Sequence, residues 1–333
     1  MSRIRALING HWHEALDRHG PRAEQLRRQP SIYREWITAD GRPGPAGQPA
    51  QLAEPGRYHL YVSYACPWAH RTLLYRRLKR LEGVVTVSVL HPRMAGPRSW
   101  TFGETPLSTR DHLHGSEHLY EVYQRGDPKA TTVVTVPMLW DRETDTIVNR
   151  ESADIIRILD CAFDRWGDAS VHFRPATLEA EIKRMNAFIL PRVSAAVYRV
   201  GFARGQARYD REEARLFAAL DALEKHLSGR RYLLGSRITE PDWHLFCTLI
   251  RFDAAYHRAL NCSRRRIVDY PALAGHTRRL LQHPGVAETV DMNAIRLHYF
   301  DDHAEIDRTI VPAPTEGDLP VPREAIAVDA GAK

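Results

Sequence analysis

No apolar run in this chain reaches the ~18 residues that a bilayer-spanning helix needs, so no membrane segment is expected. Residues 1–16 are interrupted by Arg3, Arg5, His11, His13 and Glu14, so the continuous apolar stretch of a secretion signal is missing. Cysteine is scarce, with four thiols in 333 residues (Cys66, Cys161, Cys247, Cys262). None forms a Cys-x-x-Cys pair, which argues against a disulfide framework or a Cys-rich zinc site and for a reducing cytoplasm. The run Gly41-Arg42-Pro43-Gly44-Pro45-Ala46-Gly47 has no lysine and hydroxyl residue after it, so it reads as a turn-rich linker, not a phosphate loop. His11-Trp12-His13 and His112-Leu113-His114 lack a His-Glu-x-x-His pattern, so they read as solvated histidines and no metal is expected. No internal repeat is present. The net charge of +6 is basic without being extreme. The clusters Arg76-Arg77-Lys79-Arg80, Arg264-Arg265-Arg266 and Arg278-Arg279 read as solvated helix faces, and no nucleic-acid partner is expected. Such a surface would still attract small anions.

What is present is an ordinary globular composition, 43% hydrophobic and 26% charged, with length for about two domains. Residues 1–50 read as an extension that packs on the domain beside it. Next come strand 58–63, helix 67–80 and strand 84–90, a βαβ opening. A Pro- and Gly-rich stretch from His91 to about Gly115 is long for a loop, which suggests function. A helix over 117–125, strands at 135–140 and 146–148, and a helix from Glu151 complete a thioredoxin-like half at 51–165. Beyond Asp168 strand signals vanish. Helical periodicity covers 177–190, 191–203, 210–227, 240–258 and 271–283, predicting an all-α bundle over 170–312. Thr239 and Asp242 can form a capping box for its central helix, with Trp243, Phe246 and Ile250 on one face. The fold class is therefore α/β plus all-α. Residues 313–333 read as a mobile tail.

Within the opening unit, Cys66 ends an apolar strand and Pro67 begins a helix. The free N–H groups and positive dipole end of a helix stabilise a thiolate at that position, and Pro67 loses no hydrogen bond there. A buried structural thiol is the plain alternative. Ala69 stands where a thioredoxin-type motif would place its second cysteine. Any thiol chemistry must then borrow its resolving thiol, and glutathione can lend one.

A thioredoxin-like half followed by a helical half resembles the glutathione S-transferase superfamily. Cys66-Pro67-Trp68-Ala69-His70-Arg71-Thr72 is similar to the signature of its xi class, the glutathionyl-hydroquinone reductases. So are Val136-Pro137-Met138-Leu139-Trp140-Asp141, Glu151-Ser152, Tyr198-Arg199-Val200-Gly201-Phe202-Ala203, Leu249-Ile250-Arg251-Phe252-Asp253 with Tyr256-His257, and Arg296-Leu297-His298-Tyr299. These run in the family's order from about residue 55 to 315. Two segments depart from the family pattern. Val193-Ser194-Ala195-Ala196 replaces an Asn-rich approach, and Ala254-Ala255 replaces a Pro-Val before Tyr256. Neither touches the thiol or the tyrosines, so they bear on acceptor range.

The resemblance implies glutathione-dependent reduction of glutathionyl-hydroquinones through a Cys66–glutathione mixed disulfide. Carbon is then the leaving group and needs a general acid. Tyr198 matches the family's proton donor, where the plain reading is a packing tyrosine. Tyr256 and Tyr299 match two further site tyrosines, implied to hydrogen-bond the thiolate and lower its pKa. The helix carrying Tyr299 must then fold back over the first half. For glutathione the resemblance implies Trp100, the approach Val133-Val134-Thr135, and the Val136 backbone before a cis Pro137. Ser152 and the N–H groups around it suit the γ-glutamyl carboxylate, and Glu151 suits its ammonium. A plain helix cap is the other reading of that pair. His70 is read as structural, and the remaining cysteines as core or surface thiols. Family members are homodimers, which sets the expectation here. An omega-like thioltransferase or dehydroascorbate reductase also uses one cysteine, but does not need three tyrosines. A non-catalytic module of the same fold would carry a degraded cysteine site.

Overall fold

The computed structural model describes residues 3–17, 20, 21, 24, 26, 32–94, 96–301, 306, 307 and 309–315. Most of the segment read as a tail, 316–333, lies outside them. The first 50 residues hold elements that the sequence pattern did not reveal. Strands β1 (Arg3–Ile8) and β2 (His11–Asp17) form an antiparallel hairpin. Asn9 and Gly10 make its two-residue turn, both at positive φ (48° and 77°), the geometry that Asn-Gly favours in tight hairpins. β3 (Trp36–Thr38) pairs in parallel with β4 (Ala50–Leu52), and Trp36 and Ile37 enter the main core.

The central sheet has the order β6-β5-β7-β8, formed by β5 (Tyr58–Val62), β6 (Thr86–Val89), β7 (Met138–Asp141) and β8 (Thr146–Asn149). β5 runs parallel to β6 and antiparallel to β7, and β7 antiparallel to β8. Every residue of β5 is buried, as its near-continuous apolar run requires of a central strand covered on both faces. Helix α1 (Pro67–Leu78) crosses from β5 to β6, α2 (Leu119–Gly126) precedes β7, and α3 (Ser152–Cys161) follows β8. This is the βαβ…ββα order read from the sequence, with element ends moved by up to three residues.

Helices make up the rest: α4 (Glu179–Ile189), α5 (Ala196–Gly201), α6 (Gln206–Leu227), α7 (Glu240–Arg251), α8 (His257–Ala259), α9 (Pro271–Leu281) and α10 (Met292–Asp301). The predicted helices 191–203 and 240–258 are each interrupted by a π turn, at Leu190–Ser194 and Phe252–Tyr256. α7 starts at the expected capping box: the Thr239 N–H and hydroxyl both donate to Asp242 Oδ2 at 2.8 Å. α1 packs against both α3 and α7. The core of the sheet half therefore continues through Trp243, Phe246 and Cys247 of α7. A second core fills the bundle around Val197, Leu216, Leu245 and Tyr256.

Arg77, Arg80, Arg266 and Arg278 are exposed, as a solvated face requires, but three other members of the basic clusters need correcting. Lys79 is fully buried, its ammonium on Asp164 (2.7 Å) and the Val171 carbonyl (2.6 Å). Arg76 donates to the Val85 and Glu82 carbonyls, and Arg264 pairs with Glu213. These residues bind the fold together instead of coating a solvated face. His114 likewise packs edge-on against buried Trp140. No described helix is long and apolar enough to cross a membrane.

Candidate active site

Cys66 is the N-cap of α1, with extended backbone (φ −76°, ψ 121°) and Pro67 in the first turn. It is 9% exposed and lines a cleft of about 560 Å³. Its Sγ lies 3.6 Å from the Val136 carbonyl oxygen, and the Val136–Pro137 peptide is cis. Burial pushes the Cys66 thiol above its ordinary value. The backbone N–H groups of Ala69 and Trp68, then the guanidiniums of Arg251 and Arg71, pull it down.

Those two arginines are the main site features that sequence reasoning missed. Arg251, fully buried at the end of α7, reaches across to the sheet half. It donates to the carbonyls of Ala65 (3.0 Å), Tyr64 (2.8 Å) and Cys247 (2.8 Å). It also donates to His70 Nδ1 at 3.0 Å. His70 Nε2 in turn bonds Thr289 Oγ1 at 2.8 Å, so His70 is a buried link in the chain that holds Arg251. Burial first, then Arg251, hold the His70 ring far below the usual imidazole range, so it stays neutral. Arg71 stacks on Trp68, its guanidinium carbon 4.3 Å from the ring centroid. Among the described residues neither arginine forms an ion pair with a carboxylate. Both stand within the family motifs, yet nothing in the spacing marked them as buried.

All seven residues expected to hold glutathione line the cleft beside Cys66: Trp100, Val133, Val134, Thr135, Val136, Glu151 and Ser152. Trp68, Met94, Pro137 and Arg150 complete it. Trp100, from the long loop, stacks on His298 with centroids 5.8 Å apart and planes at 9°. His298 Nδ1 is 2.7 Å from the Pro92 carbonyl, so α10 does fold back over the sheet half. Arg150 donates to the Val133 carbonyl at 2.8 Å and to Thr132 Oγ1. Glu151 is the N-cap of α3 but makes no side-chain cap bond there, so the carboxylate is not committed as a plain cap.

The three tyrosines form a second group. Tyr198 Oη lies 2.6 Å from Tyr299 Oη, and Tyr256 Oη lies 3.3 Å from Tyr299 Oη. The Tyr256 and Tyr299 rings meet edge to face at 4.9 Å. Tyr256 and Tyr299 are buried and Tyr198 is half-buried. The neutral thiol's hydrogen bond goes to the Val136 carbonyl, and the phenols bond one another. Burial raises all three phenols, Tyr256 to about 12 and the other two well above the usual value. Each therefore keeps its proton at neutral pH. A thiolate at Cys66 would raise Tyr198 and Tyr256 further, which places them within its electrostatic reach.

One described group could offer three ligand atoms to a metal: Asp160, Cys161 and His172, within 4.8 Å of one another. It sits at the far end of α3 from the cleft, where Lys79 already supplies positive charge.

Residues 65–162 match the family described as glutathione S-transferase, N-terminal domain, and residues 206–279 match glutathione S-transferase, C-terminal domain. The chain is 44% identical over 304 residues to the glutathionyl-hydroquinone reductase YqjG of Escherichia coli (strain K12), covering 91% of this chain and 92% of that one. The glutathione-bound structure of YqjG matches with a TM-score of 0.83 over 92% of this chain and 94% of that one, at 43% identity. Identity to the glutathionyl-hydroquinone reductase PcpF of Sphingobium chlorophenolicum is 41%, over 94% of this chain and 97% of that one. A xi-class glutathione transferase from Natrialba magadii matches with a TM-score of 0.83 at 38% identity, over 96% of this chain and 95% of that one.

Proposed function

The chain belongs to the glutathionyl-hydroquinone reductases, the xi class of the glutathione S-transferase family, and from that premise we propose how its residues divide the reaction. It reduces glutathionyl-hydroquinones to hydroquinones, with glutathione as co-substrate. One juxtaposition supports the assignment of roles: the Cys66 cleft gathers every glutathione candidate, and Tyr198 and Tyr256, two of the three linked phenols, stand within electrostatic reach of the thiol.

The glutathione part lies along Val133–Val136, with the Val136 backbone pairing its cysteinyl unit as an added strand. Ser152 and the first N–H groups of α3 take the γ-glutamyl carboxylate, Glu151 takes the ammonium, and Trp100 covers the chain. The Cys66 thiolate attacks the glutathionyl sulfur. The new S–S bond forms as the aryl carbon–sulfur bond breaks, and that bond's electron pair leaves with the ring carbon. Tyr198, the most exposed of the three phenols, donates a proton to that carbon, while Tyr299 and Tyr256 hold its hydroxyl in place. The product is the hydroquinone, and Cys66 is left as a mixed disulfide with glutathione. A second glutathione thiolate attacks that disulfide, releasing oxidised glutathione and the Cys66 thiolate. A plain thioltransferase needs only this last exchange.

The test is a pair of assays on wild type and Tyr198→Phe, one with a menadione–glutathione conjugate and one with a mixed disulfide. Tyr198→Phe should lose at least a hundredfold on the conjugate, at the low end of general acid catalysis, and keep its disulfide activity. Equal losses on both substrates would remove Tyr198 as the acid. A wild type active only on the disulfide would make the chain an omega-like thioltransferase. We further propose a homodimer joined through the helical half, tested by light scattering, and a cytoplasmic location. The working division is 51–165 for glutathione and 170–312 for the acceptor.

A further inference from the structure

We propose that the β1–β2 hairpin is a positioning element that sets the spacing between the two walls of the glutathione cleft. The proposal rests on the glutathione reading of that cleft.

One wall is the segment Val133–Val136, and the other includes Met94 and Trp100 of the long loop. Neither belongs to the central sheet. The hairpin is bonded to both. On the first side, Leu7 and Thr132 exchange backbone hydrogen bonds at 2.9 Å in both directions. The Gly10 N–H donates to the Ala130 carbonyl (2.8 Å), and Gln124 donates to the Gly10 carbonyl (2.7 Å). The Asn9 N–H adds a bond to Thr131 Oγ1 at 2.9 Å. The chain leading into Val133 and the end of α2 are thus held by one hairpin end. On the second side, Arg5 donates to the Met94 carbonyl at 3.0 Å and Trp12 Nε1 to the Pro97 carbonyl at 3.2 Å. The Trp12 ring stacks on Tyr120 at 4.7 Å and 12°, which fixes the hairpin against α2.

The turn explains how close the contact is. A Cβ on Gly10 would lie 1.9 Å from the Pro128 carbonyl oxygen, so only glycine allows this approach. Ala6, Ile8 and Leu16 form a small cluster of the hairpin's own, while Leu7 enters the main core and Trp12 packs against it. Substitutions at Arg5, Gly10 and Trp12 leave Leu7 untouched, so the hairpin keeps its seat in the main core. An unbraced cleft must order its walls when glutathione binds, which weakens binding without altering the thiol.

The test uses Gly10→Val, to push the turn off Pro128, and the pair Arg5→Ala with Trp12→Ala, to release the loop. Glutathione affinity is measured by calorimetry on a Cys66→Ser background. The rate of Cys66 alkylation against pH is measured with the thiol intact. Losing two or three hydrogen bonds should raise the dissociation constant by about fivefold or more, and the alkylation profile should not move. If the hairpin variants bind glutathione as tightly as the parent, the proposal is overturned and the cleft reading stands. If the alkylation midpoint shifts with the affinity, the hairpin acts on the whole site and the positioning role is overturned. If Cys66→Ser with its native hairpin binds no glutathione, the cleft reading itself fails and takes the proposal with it.

Discussion

Replacing Arg251 by methionine tests whether the helical half controls the thiol. The change removes donors to Tyr64, Ala65 and Cys247 carbonyls and to His70 Nδ1, all at 2.8–3.0 Å. A hydrogen bond from a charged donor contributes ~1.5–3 kcal/mol, and each orphaned buried acceptor costs ~1–3 kcal/mol. These overlap, and breaking a buried charged contact as a whole costs about 3–5 kcal/mol. At roughly 2–4 °C per kcal/mol for a large domain, the thermal midpoint should fall by about 6–20 °C. The second effect is on the thiol. Arg251 is one of the groups that pull Cys66 down against burial, so its loss moves the thiol further up. The Arg251 charge is felt by Tyr256 and Tyr299 as well. A thiol moved further up holds less thiolate at neutral pH, so alkylation there should slow by about tenfold. The assay is the rate of iodoacetamide alkylation against pH. It must be followed on the Cys66 peptide by mass spectrometry, because Cys161 is an exposed second thiol. Arg251→Lys keeps the charge, so its alkylation midpoint should stay near wild type while stability falls. A folded Arg251→Met protein with a wild-type alkylation midpoint would refute the electrostatic argument. A thermal midpoint within 2 °C of wild type, about the shift from 1 kcal/mol, would refute the tether.

Trp100→Ala removes the stack on His298 and one cleft wall, so KM for glutathione should rise about five- to tenfold, as expected for ~1–1.4 kcal/mol of aromatic contact; an unchanged KM would remove Trp100 from the site. Asp242→Ala leaves the Thr239 and Leu233 N–H groups and His276 without their acceptor, and should cost about 3–5 kcal/mol in denaturant unfolding. Thr239→Ala loses only its side-chain part, at about 1 kcal/mol, so equal costs for the two would contradict the network. The buried phenols predict an alkaline limit. Tyr256 ionises near 12 when folded and near ~10 when unfolded, so its contribution is complete below pH ~10 and is lost as pH rises towards 12. Tyr256→Phe should flatten the fall of stability over that window, and an unchanged slope would count against the burial argument.

Much of the fold could be read because its signals are local. Cys66-Pro67 marks a strand–helix junction whatever surrounds it, and Thr239-x-x-Asp242 marks a helix start. The cleft residues came from motif resemblance, and the structure gathers them into one place. The β1–β2 hairpin was missed although Asn9-Gly10 between Arg3–Ile8 and His11–Asp17 is a strong turn signal; the charged residues at 3, 5 and 14 masked its alternation. Arg251, Arg71 and Lys79 were beyond local reading. A basic residue on a helix normally meets solvent. Only the packing of α7 on α1, and of α1 on α3, buries these three.

The π turns show why one continuous helix could not have built the tyrosine cluster. On an unbroken α-helix, residues 251 and 256 point about 140° apart. Arg251 would then face the sheet half while Tyr256 turned away from it. The π turn at Phe252–Tyr256 inserts one residue into the turn and rotates the next residues back by about 100°. That leaves the two side chains about 40° apart, and Tyr256 does lie within the field of Arg251. The other π turn, Leu190–Ser194, contains Pro191, which has no N–H to continue the α ladder, and it sets the start of the helix that carries Tyr198. Both tyrosines therefore owe their direction to a local break in helix register. The thiol comes from the sheet half and the phenols from the bundle. Arg251, at the junction of α7 and its π turn, donates to the Tyr64 and Ala65 carbonyls just before the thiol, and its charge acts on Tyr256 and Tyr299. Any change that restores a regular helix across 252–256 should leave the thiol in place and turn the Tyr256 phenol out of the cluster.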